Sequence, residues 1–517
     1  MIATVDVHAL PPARREVLAA ERDLSAAVSG RFSTRSLDRL SYARDLWPLA
    51  LVWIREGRIP PPPDAIVWPG ADDEVAALIM RAREHRLPVI PFGAGSGVCG
   101  GTVAVRGGLA LDLKRFDRIG PVDPRARTVE VGAGVLGETL ERRLEARGWT
   151  LGHFPSSIAT STVGGWLAAR SAGQCSSRYG KIEDMVLSVR GVFGTGERFT
   201  TPERPFAGPD LAQLLLGSEG TLCAFTSAVL RVHPRPEARF LRAFDFPSVE
   251  VGLEAIRRLF REGLRPAVVR LYDPFDTAFV GRSNDAAGSP TPPSRRDALG
   301  ASVVPAFLRT LAAQTLGRPR LVNPLAHLAR RARLVLMFEG EAKACEADDA
   351  AAAASCRLFR GTDLGESPAR HWYQNRYAVN FKLPRLMEAG TFVDTFECSA
   401  PWDRVLDVYE RVRAAASAHA LVLCHFSHAY ADGCSLYFSF VGAASDAQAT
   451  EARYQRLWRN ALGAALSAGA NVSHHHGIGL LKAREYQDSL GEGRHVLAAL
   501  KRHLDPDGIM NPGKLGL

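Results

Sequence analysis

The chain is expected to form an α+β fold with more than one domain, and three observations support this. Segments with strand and helix patterning alternate from about residue 65 onward. At 517 residues the chain is too long for a single core. Three separate segments rich in Gly, Ser or Thr interrupt the alternation in its first half, as loops around a ligand do.

Residues 1–58 read as a helical region, with apolar residues at helical spacing over 14–27 and 45–56. Prolines 60–63 break the chain, and a second region, 59–236, begins. Residues 65–68 predict a short strand. Asp72, Asp73 and Glu74 open an amphipathic helix to residue 85, because carboxylates favour a helix N-terminus. A strand at 89–91 runs into a glycine-rich turn. Strands at 109–113 and 128–131 and a helix at 136–147 follow, then a Ser/Thr/Gly-rich, charge-poor stretch at 151–180. Strands resume at 185–192 and 220–232, and His233-Pro234-Arg235-Pro236 marks a domain boundary. A third region, 237–470, carries helices and strands at 249–261, 267–271, 332–338, 391–397, 402–419 and 435–441. Within it, residues 279–300 are polar and Pro-rich and read as a mobile surface loop. Residues 303–316 and 321–331 are apolar and studded with arginine. They fit ordinary packed helices or an amphipathic lid or membrane-surface patch, and both readings stay open. A last segment, 471–517, carries three adjacent histidines. The chain shows no internal repeat.

Composition narrows the function. Hydrophobic residues make up 46% and charged residues 23%, the values of an ordinary globular protein. No apolar run reaches the roughly 18 residues that cross a bilayer. The N-terminus lacks the pattern of a secretory signal, and the C-terminus is not a peroxisomal tripeptide. Eight scattered cysteines without a C-x-x-C pair point to a reducing cytosol and no zinc knuckle. The expected location is therefore cytoplasmic, with a peripheral place at the inner membrane face left open. Net charge is +9, spread along the chain without a basic tail, so nucleic acid is not an expected partner. A basic surface suits an anionic substrate or membrane face, and it also serves plain solubility.

Two motifs carry chemistry. Pro91, Phe92, Gly93, Ala94, Gly95, Ser96 and Gly97 follow a strand directly. Glycines permit positive φ, so successive N–H groups can converge on phosphate oxygens. No helix opens at the third glycine, so this is neither a Walker loop nor a Rossmann fingerprint. A plain turn also explains it, but the stretch at 152–173 and Gly217, Ser218, Glu219, Gly220, Thr221 and Leu222 give it company. Three such segments imply one large, phosphate-bearing cofactor. The second motif is His474, His475 and His476, followed by Gly477. Adjacent residues on an extended strand face opposite ways, so three neighbours do not easily ligate one ion. A polar surface turn and the edge of a cofactor pocket both remain open for it.

Together, these segments resemble flavoproteins with the vanillyl-alcohol-oxidase (PCMH-type) FAD domain. The match covers most of the chain from about residue 60. Ser161-Thr162-Val163-Gly164-Gly165-Trp166, Tyr179-Gly180-Lys181-Ile182-Glu183-Asp184 and Gly217-Ser218-Glu219-Gly220-Thr221-Leu222 are shared across that superfamily. Ser399-Ala400-Pro401-Trp402-Asp403-Arg404 and Ser473-His474-His475-His476-Gly477 are similar to the alkyldihydroxyacetonephosphate synthases within it. The resemblance implies a two-subdomain PCMH-type FAD-binding domain, an α+β cap with a central antiparallel sheet, and a C-terminal segment returning to the FAD domain. It implies FAD bound without a covalent link, although covalent attachment elsewhere in the superfamily keeps that alternative open. It places FAD contacts on Pro91 to Gly97; on Ser156, Ser157, Ile158, Ala159, Thr160, Ser161 and Thr162; on Ala169, Arg170, Ser171 and Ala172; and on Gly217 to Leu222 and Cys223. It assigns catalysis to Tyr437, His474, His475, His476 and Arg270, and substrate binding to Lys382, where the family carries arginine. A lysine there offers a point charge in place of a planar fork.

The implied reaction exchanges the acyl chain of 1-acyl-dihydroxyacetone phosphate for a fatty alcohol through a flavin N5 adduct. Tyr437, its pKa lowered by cationic neighbours, would remove a proton from C1, with the three histidines orienting it. The expected partner is a small-molecule or lipid substrate with an anionic group; a homodimer and a membrane contact stay open. The rival is a D-2-hydroxy-acid dehydrogenase of the same superfamily, of the D-lactate or glycolate type. Those enzymes carry a His-x-Gly-Asp-Gly-Asn-x-His segment and a later Glu-His-Gly that can hold a metal. Here Tyr437 replaces the second histidine and His475 the glutamate, so no metal site is expected and proton transfer is favoured. His425 and His428 keep ligand-like spacing but suit a hydrogen-bonded pocket role.

Overall fold

The computed structural model describes residues 10–204, 207–278, 317–323, 331–377 and 391–517. The chain forms two compact units. One, the sheet unit, is Pro236–Asn471; the other, the loop unit, joins the chain up to Arg235 with Val472–Leu517.

The strands of the loop unit are β1 (Phe32–Ser33), β2 (Ala65–Val67), β3 (Val89–Phe92), β4 (Leu109–Asp112), β5 (Ile119–Asp123), β6 (Thr128–Gly132), β7 (Trp149–Thr150), β8 (Val186–Phe193), β9 (Arg198–Thr200), β10 (Cys223–Arg231) and β11 (His233–Pro234). One sheet has the order β1-β2-β4-β3, with β4 parallel to both β2 and β3. Helix Asp72–Glu84 makes the crossover from β2 to β3, which lie on either side of β4. Its Val75, Leu78, Ile79 and Ala82 form the buried stripe, and its acidic first turn and basic last turn complement the helix dipole. The second sheet, β5-β6-β10-β8-β9, is antiparallel, and β7 pairs with β11.

Residues 10–58 depart from the simple helical region read from sequence. They hold the helices Arg15–Ala19, Glu21–Ala27, Ser36–Ser41 and Pro48–Arg55, and also β1, which pairs with β2. Val17, Ala20, Leu24 and Val28 pack in one core with Leu78, Ile79, Leu109 and Leu111. The C-terminus enters the same core through Ile509 and Met510. The Val89 N–H donates to Ile509 O and the Asn511 N–H to Val89 O, each at 2.8 Å.

The sheet unit is built on β12 (Ala238–Phe246), β13 (Val268–Tyr272), β14 (Ala332–Gly340), β15 (Thr362–Gly365), β16 (Thr391–Pro401), β17 (Leu421–Ala429) and β18 (Gly433–Ala443). They form one antiparallel sheet in the order β15-β12-β14-β13-β17-β18-β16. Strand alternation gives it two faces. On one, Phe396, Phe426, Phe438 and Phe440 lie against helices Val405–Ser417 and Ala447–Ser467; Trp458 meets Phe396 at 5.5 Å and Tyr409 meets Phe426 at 5.3 Å. The other face carries Arg270, His425, Ser427, Ser435, Tyr437 and Glu397. No helix among the described residues is long and apolar enough to cross a membrane. The expected loop at 279–300 lies outside the described residues. So does the apolar arginine-rich stretch, apart from helix Pro319–Val322 and its flanks.

Candidate active site

In the loop unit, segments distant in sequence converge on the glycine turn after β3. A Cβ at Gly93 would lie 2.4 Å from Thr162 Oγ1, so only glycine lets these two segments meet. Gly95 has φ +65°. Gly220, at φ +76°, presses on Pro91; a Cβ there would stand 2.9 Å from its ring. The Gly217 N–H donates to Leu167 O and the Glu219 N–H to Ala168 O, both at 3.0 Å, which joins the turn at 217–223 to the end of helix Val163–Ala169. Among the described residues no acceptor takes the backbone N–H groups of Gly93, Ala94, Gly95, Ser96 or Gly97. A turn of glycine and small residues with unclaimed donors suits a pyrophosphate, so these residues fit FAD.

Other residues assigned to the cofactor have side chains committed elsewhere. Arg170 donates to Leu216 O at 3.0 Å and Gln213 O at 2.6 Å. Ser161 donates to Ser157 O at 2.9 Å and accepts from Trp166 Nε1 at 2.8 Å. Thr221 donates to Ser218 O at 2.7 Å, and Cys223 is fully buried with its thiol pushed up to about 12 by burial. These residues shape the turns, leaving backbone and Oγ-free surfaces to meet a ligand.

Glu219 differs most from its expected role. Its carboxylate takes the N–H of Ile478 and, at 2.7 Å, the N–H of Gly479, immediately after the three histidines. Gly477 is obligatory there: φ is +81°, and a Cβ would come within 2.6 Å of Glu219 Oε1. Enclosure of the carboxyl pushes Glu219 up to about 7, against the pull of these N–H groups and of Lys482 and Lys514. In the histidine turn, His474 Nδ1 and His475 Nδ1 are 2.9 Å apart, so one carries a proton and the other accepts it. The ring centroids of His475 and His476 are 4.6 Å apart.

Sequence reasoning missed the braces of this region. Asp45 takes the Trp47 N–H at 3.0 Å, and burial pushes it up to about 6. The Leu46 N–H donates to Gly97 O at 2.8 Å. Asn511 Nδ2 donates to Gly101 O at 2.9 Å and Glu219 O at 2.6 Å. Lys514, fully buried, donates to Val103 O at 2.5 Å, and burial draws it down to about 8. Asp45 and Lys514 carry no local motif that marks them; they are recognisable only by burial.

In the sheet unit, register brings together residues from 12 to 153 positions apart. Tyr437 lies opposite His425 on β17 and Glu397 on β16, and Tyr272 lies opposite His425. The rings of His425 and Tyr437 stack at 4.6 Å and 19°. Arg270 Nη2 is 3.3 Å from His425 Nδ1, and its guanidinium lies over Tyr272 at 5.1 Å. An arginine only donates, so Nδ1 accepts and the neutral ring carries its proton on Nε2. Burial, then Arg270 and His428, hold His425 well below its ordinary pKa. Asp276, 3.6 Å from Nδ1, is pushed up to about 7 by burial and by Asp273. Tyr437 corrects the expectation from sequence: burial raises its pKa, outweighing the help of Thr395 and Arg270, so it rests as a protonated phenol. His428 stands at a β-bulge with φ +51°, off the ladder that holds His425. Lys382 lies outside the described residues.

The comparisons with known proteins agree on an FAD-linked oxidase and divide between two activities within that family. The profile of FAD-linked oxidases, C-terminal domain, matches residues 235–515, and that of an FAD-binding domain matches 63–202. The chain is 30% identical over 485 residues to an alkyldihydroxyacetonephosphate synthase of Trypanosoma brucei brucei, covering 91% of this chain and 75% of that protein. It is 27% identical over 502 residues to a glycolate oxidase subunit of Bacillus subtilis, covering 94% and 95%. A solved alkyldihydroxyacetonephosphate synthase structure superposes with a TM-score of 0.77 at 25% identity, covering 99% of this chain and 87% of the other.

Proposed function

The chain belongs to the FAD-linked oxidases, and we propose that it works as an alkyldihydroxyacetonephosphate synthase, exchanging the acyl chain of 1-acyl-dihydroxyacetone phosphate for a fatty alcohol. It is a flavoenzyme with the PCMH-type FAD-binding fold. The observation that carries the reading is the Tyr437 phenol stacked on a neutral His425 that Arg270 fixes in one tautomer. That arrangement suits the movement of a proton on and off a carbon.

FAD, received by the amides of Gly93 to Gly97 and the turns at Thr162 and Gly220, supplies an electrophilic, redox-active ring. We place it there without a covalent link; acid precipitation that leaves the colour on the protein would reverse this. Tyr437 carries the proton that leaves and returns to the substrate carbon. It starts protonated, so it must first lose its proton, and exchange should rise with pH through the neutral range. Arg270 favours the phenolate and offers a cationic donor to the substrate's anionic oxygen. Lys382 is assigned the same anion. The adjacent Nδ1 atoms of His474 and His475 form a proton relay.

Incubation with palmitoyl-dihydroxyacetone phosphate and hexadecanol tests the proposal. The expected result is fatty-acid release that depends on the alcohol; none above background refutes it. The near full-length likeness to a glycolate oxidase subunit favours a second reading, a D-2-hydroxy-acid dehydrogenase. Anaerobic bleaching of the flavin by D-lactate or glycolate would establish that reading instead.

A further inference from the structure

Among the described residues of the sheet unit, three buried polar atoms have no hydrogen-bond partner: Arg270 Nε, Ser427 Oγ and Ser435 Oγ. They are neighbours. Arg270 on β13 lies opposite Ser427 on β17, and Ser427 lies opposite Ser435 on β18. Directly paired residues share a face, so the three form one row, next to the row of Tyr272, His425, Tyr437 and Glu397. Ser427 is 5% exposed and Ser435 0%. Other buried polar groups of this unit are bonded: Asp394 takes Tyr454 Oη at 2.5 Å and Trp458 Nε1 at 2.8 Å, and Asp273 takes Arg413 at 2.7 Å. A buried hydroxyl without a partner is destabilising, and such groups concentrate where a ligand completes them.

We propose that Ser427, Ser435 and Arg270 Nε form an oxyanion subsite for the substrate's headgroup. The row offers one cationic donor and two hydroxyls that can turn to donate. Val335 flanks it on β14, and on β16 Ser399 already accepts from Asn471 Nδ2 at 2.6 Å. Glu397 lies in the next row, on the far side of Tyr437 from His425. The donors select an anionic oxygen, from a phosphate monoester or a carboxylate. The inference rests on the sheet unit receiving the substrate's head, and it is independent of which reaction follows.

The test uses the FAD-loaded protein and the variants Ser427→Ala, Ser435→Ala and the double variant, with glycerol 3-phosphate and D-lactate as probes. Removing an unpaired hydroxyl leaves the ligand-free melting temperature unchanged or higher. In the double variant the Kd of the oxyanion that binds the wild type weakens by about tenfold or more. An effect on glycerol 3-phosphate assigns the subsite to phosphate, and one on D-lactate assigns it to carboxylate. Unchanged affinity, no binding of either probe by the wild type, or a clear loss of ligand-free stability in both single variants overturns the subsite. Neither probe carries an acyl chain to exchange, so failure of acyl exchange and failure of the subsite are told apart.

Discussion

Buried charge is handled differently in the two units. In the sheet unit, arginines take carboxylates: Arg242 holds Asp349 at 2.6 Å and Asp363 at 3.0 Å, Arg333 holds Asp245 at 2.8 Å, and Arg413 holds Asp273 at 2.7 Å. In the loop unit, charged groups also take backbone, even where Lys501 and Asp505 pair with each other at 2.5 Å and Arg14 with Asp64 at 2.7 Å. Glu219 receives two N–H groups, Asp505 receives those of Ile509 and Met510, and Lys501 donates to Thr221 O and Met510 O. A sheet satisfies its own N–H and C=O groups, so its side chains are left to pair with one another. Loops leave backbone groups open, and side chains must answer them. The contrast bears on function. The groups proposed to react in the sheet unit are placed by register, whereas the histidine turn is held by the single Glu219 carboxylate.

The sharpest way to break this comparison is Arg413→Met. It leaves Asp273, fully buried, without its cation, and should cost about 3–5 kcal/mol in a denaturant melt. Partial recovery at acid pH, as Asp273 protonates, would identify the cause; a loss near zero would show that the ion pairs do not pin the sheet unit. Next comes Tyr437→Phe, which should lower turnover by about 10²–10⁴-fold while FAD content and melting temperature hold. Undiminished turnover removes the phenol from the chemistry. Gly477→Ala should cost about 1–3 kcal/mol, because a Cβ meets Glu219 and the backbone is left-handed. Limited proteolysis should then cut the segment after the histidines faster than in the wild type.

The smallest effect is the pH response of the loop unit. Glu219 titrates at about 7 when folded against an ordinary 4.5, so between these values the folded chain holds more protons than the unfolded one. Its contribution is fully present below pH 4.5 and is lost as pH rises through about 7. Asp45 acts likewise between 3.8 and about 6. Lys514 acts in the opposite sense: with a folded pKa of about 8 against 10.5, stability rises with pH across that window. Glu219→Gln should flatten the fall in melting temperature between roughly pH 5 and 8. An unaltered slope would assign that fall to other groups.

Helix Val249–Arg261 is legible at both ends, because Ser248 caps it and Val249, Leu253, Ile256 and Phe260 make a clear stripe. Strand β17 is not, because all nine of its residues are buried and no alternation survives to be read. Helix Ala342–Leu358 is equally hard to read, its run of alanines blurring any apolar stripe. Strand β1 is too short for a pattern, and only its pairing with β2 reveals it. At the site, the glycine turn and the histidines stand out by residue type, whereas Tyr437 is marked only by the family resemblance. Glu219 reads as a cofactor residue from its own turn, yet its carboxylate answers amides 259 and 260 positions away.

The sequence by itself determined the family, the turns that suit a dinucleotide, and the presence of a phenol, an arginine and clustered imidazoles. Those are matters of residue type and local spacing, which the chain carries before it folds. The tertiary structure decided that Arg270, His425 and Tyr437 share one face, that Tyr437 rests protonated and His425 neutral, and that Ser427 and Ser435 are left unpaired beside them. Cross-strand register and burial produce these results, and both arise only when segments far apart in the chain exclude water from one another.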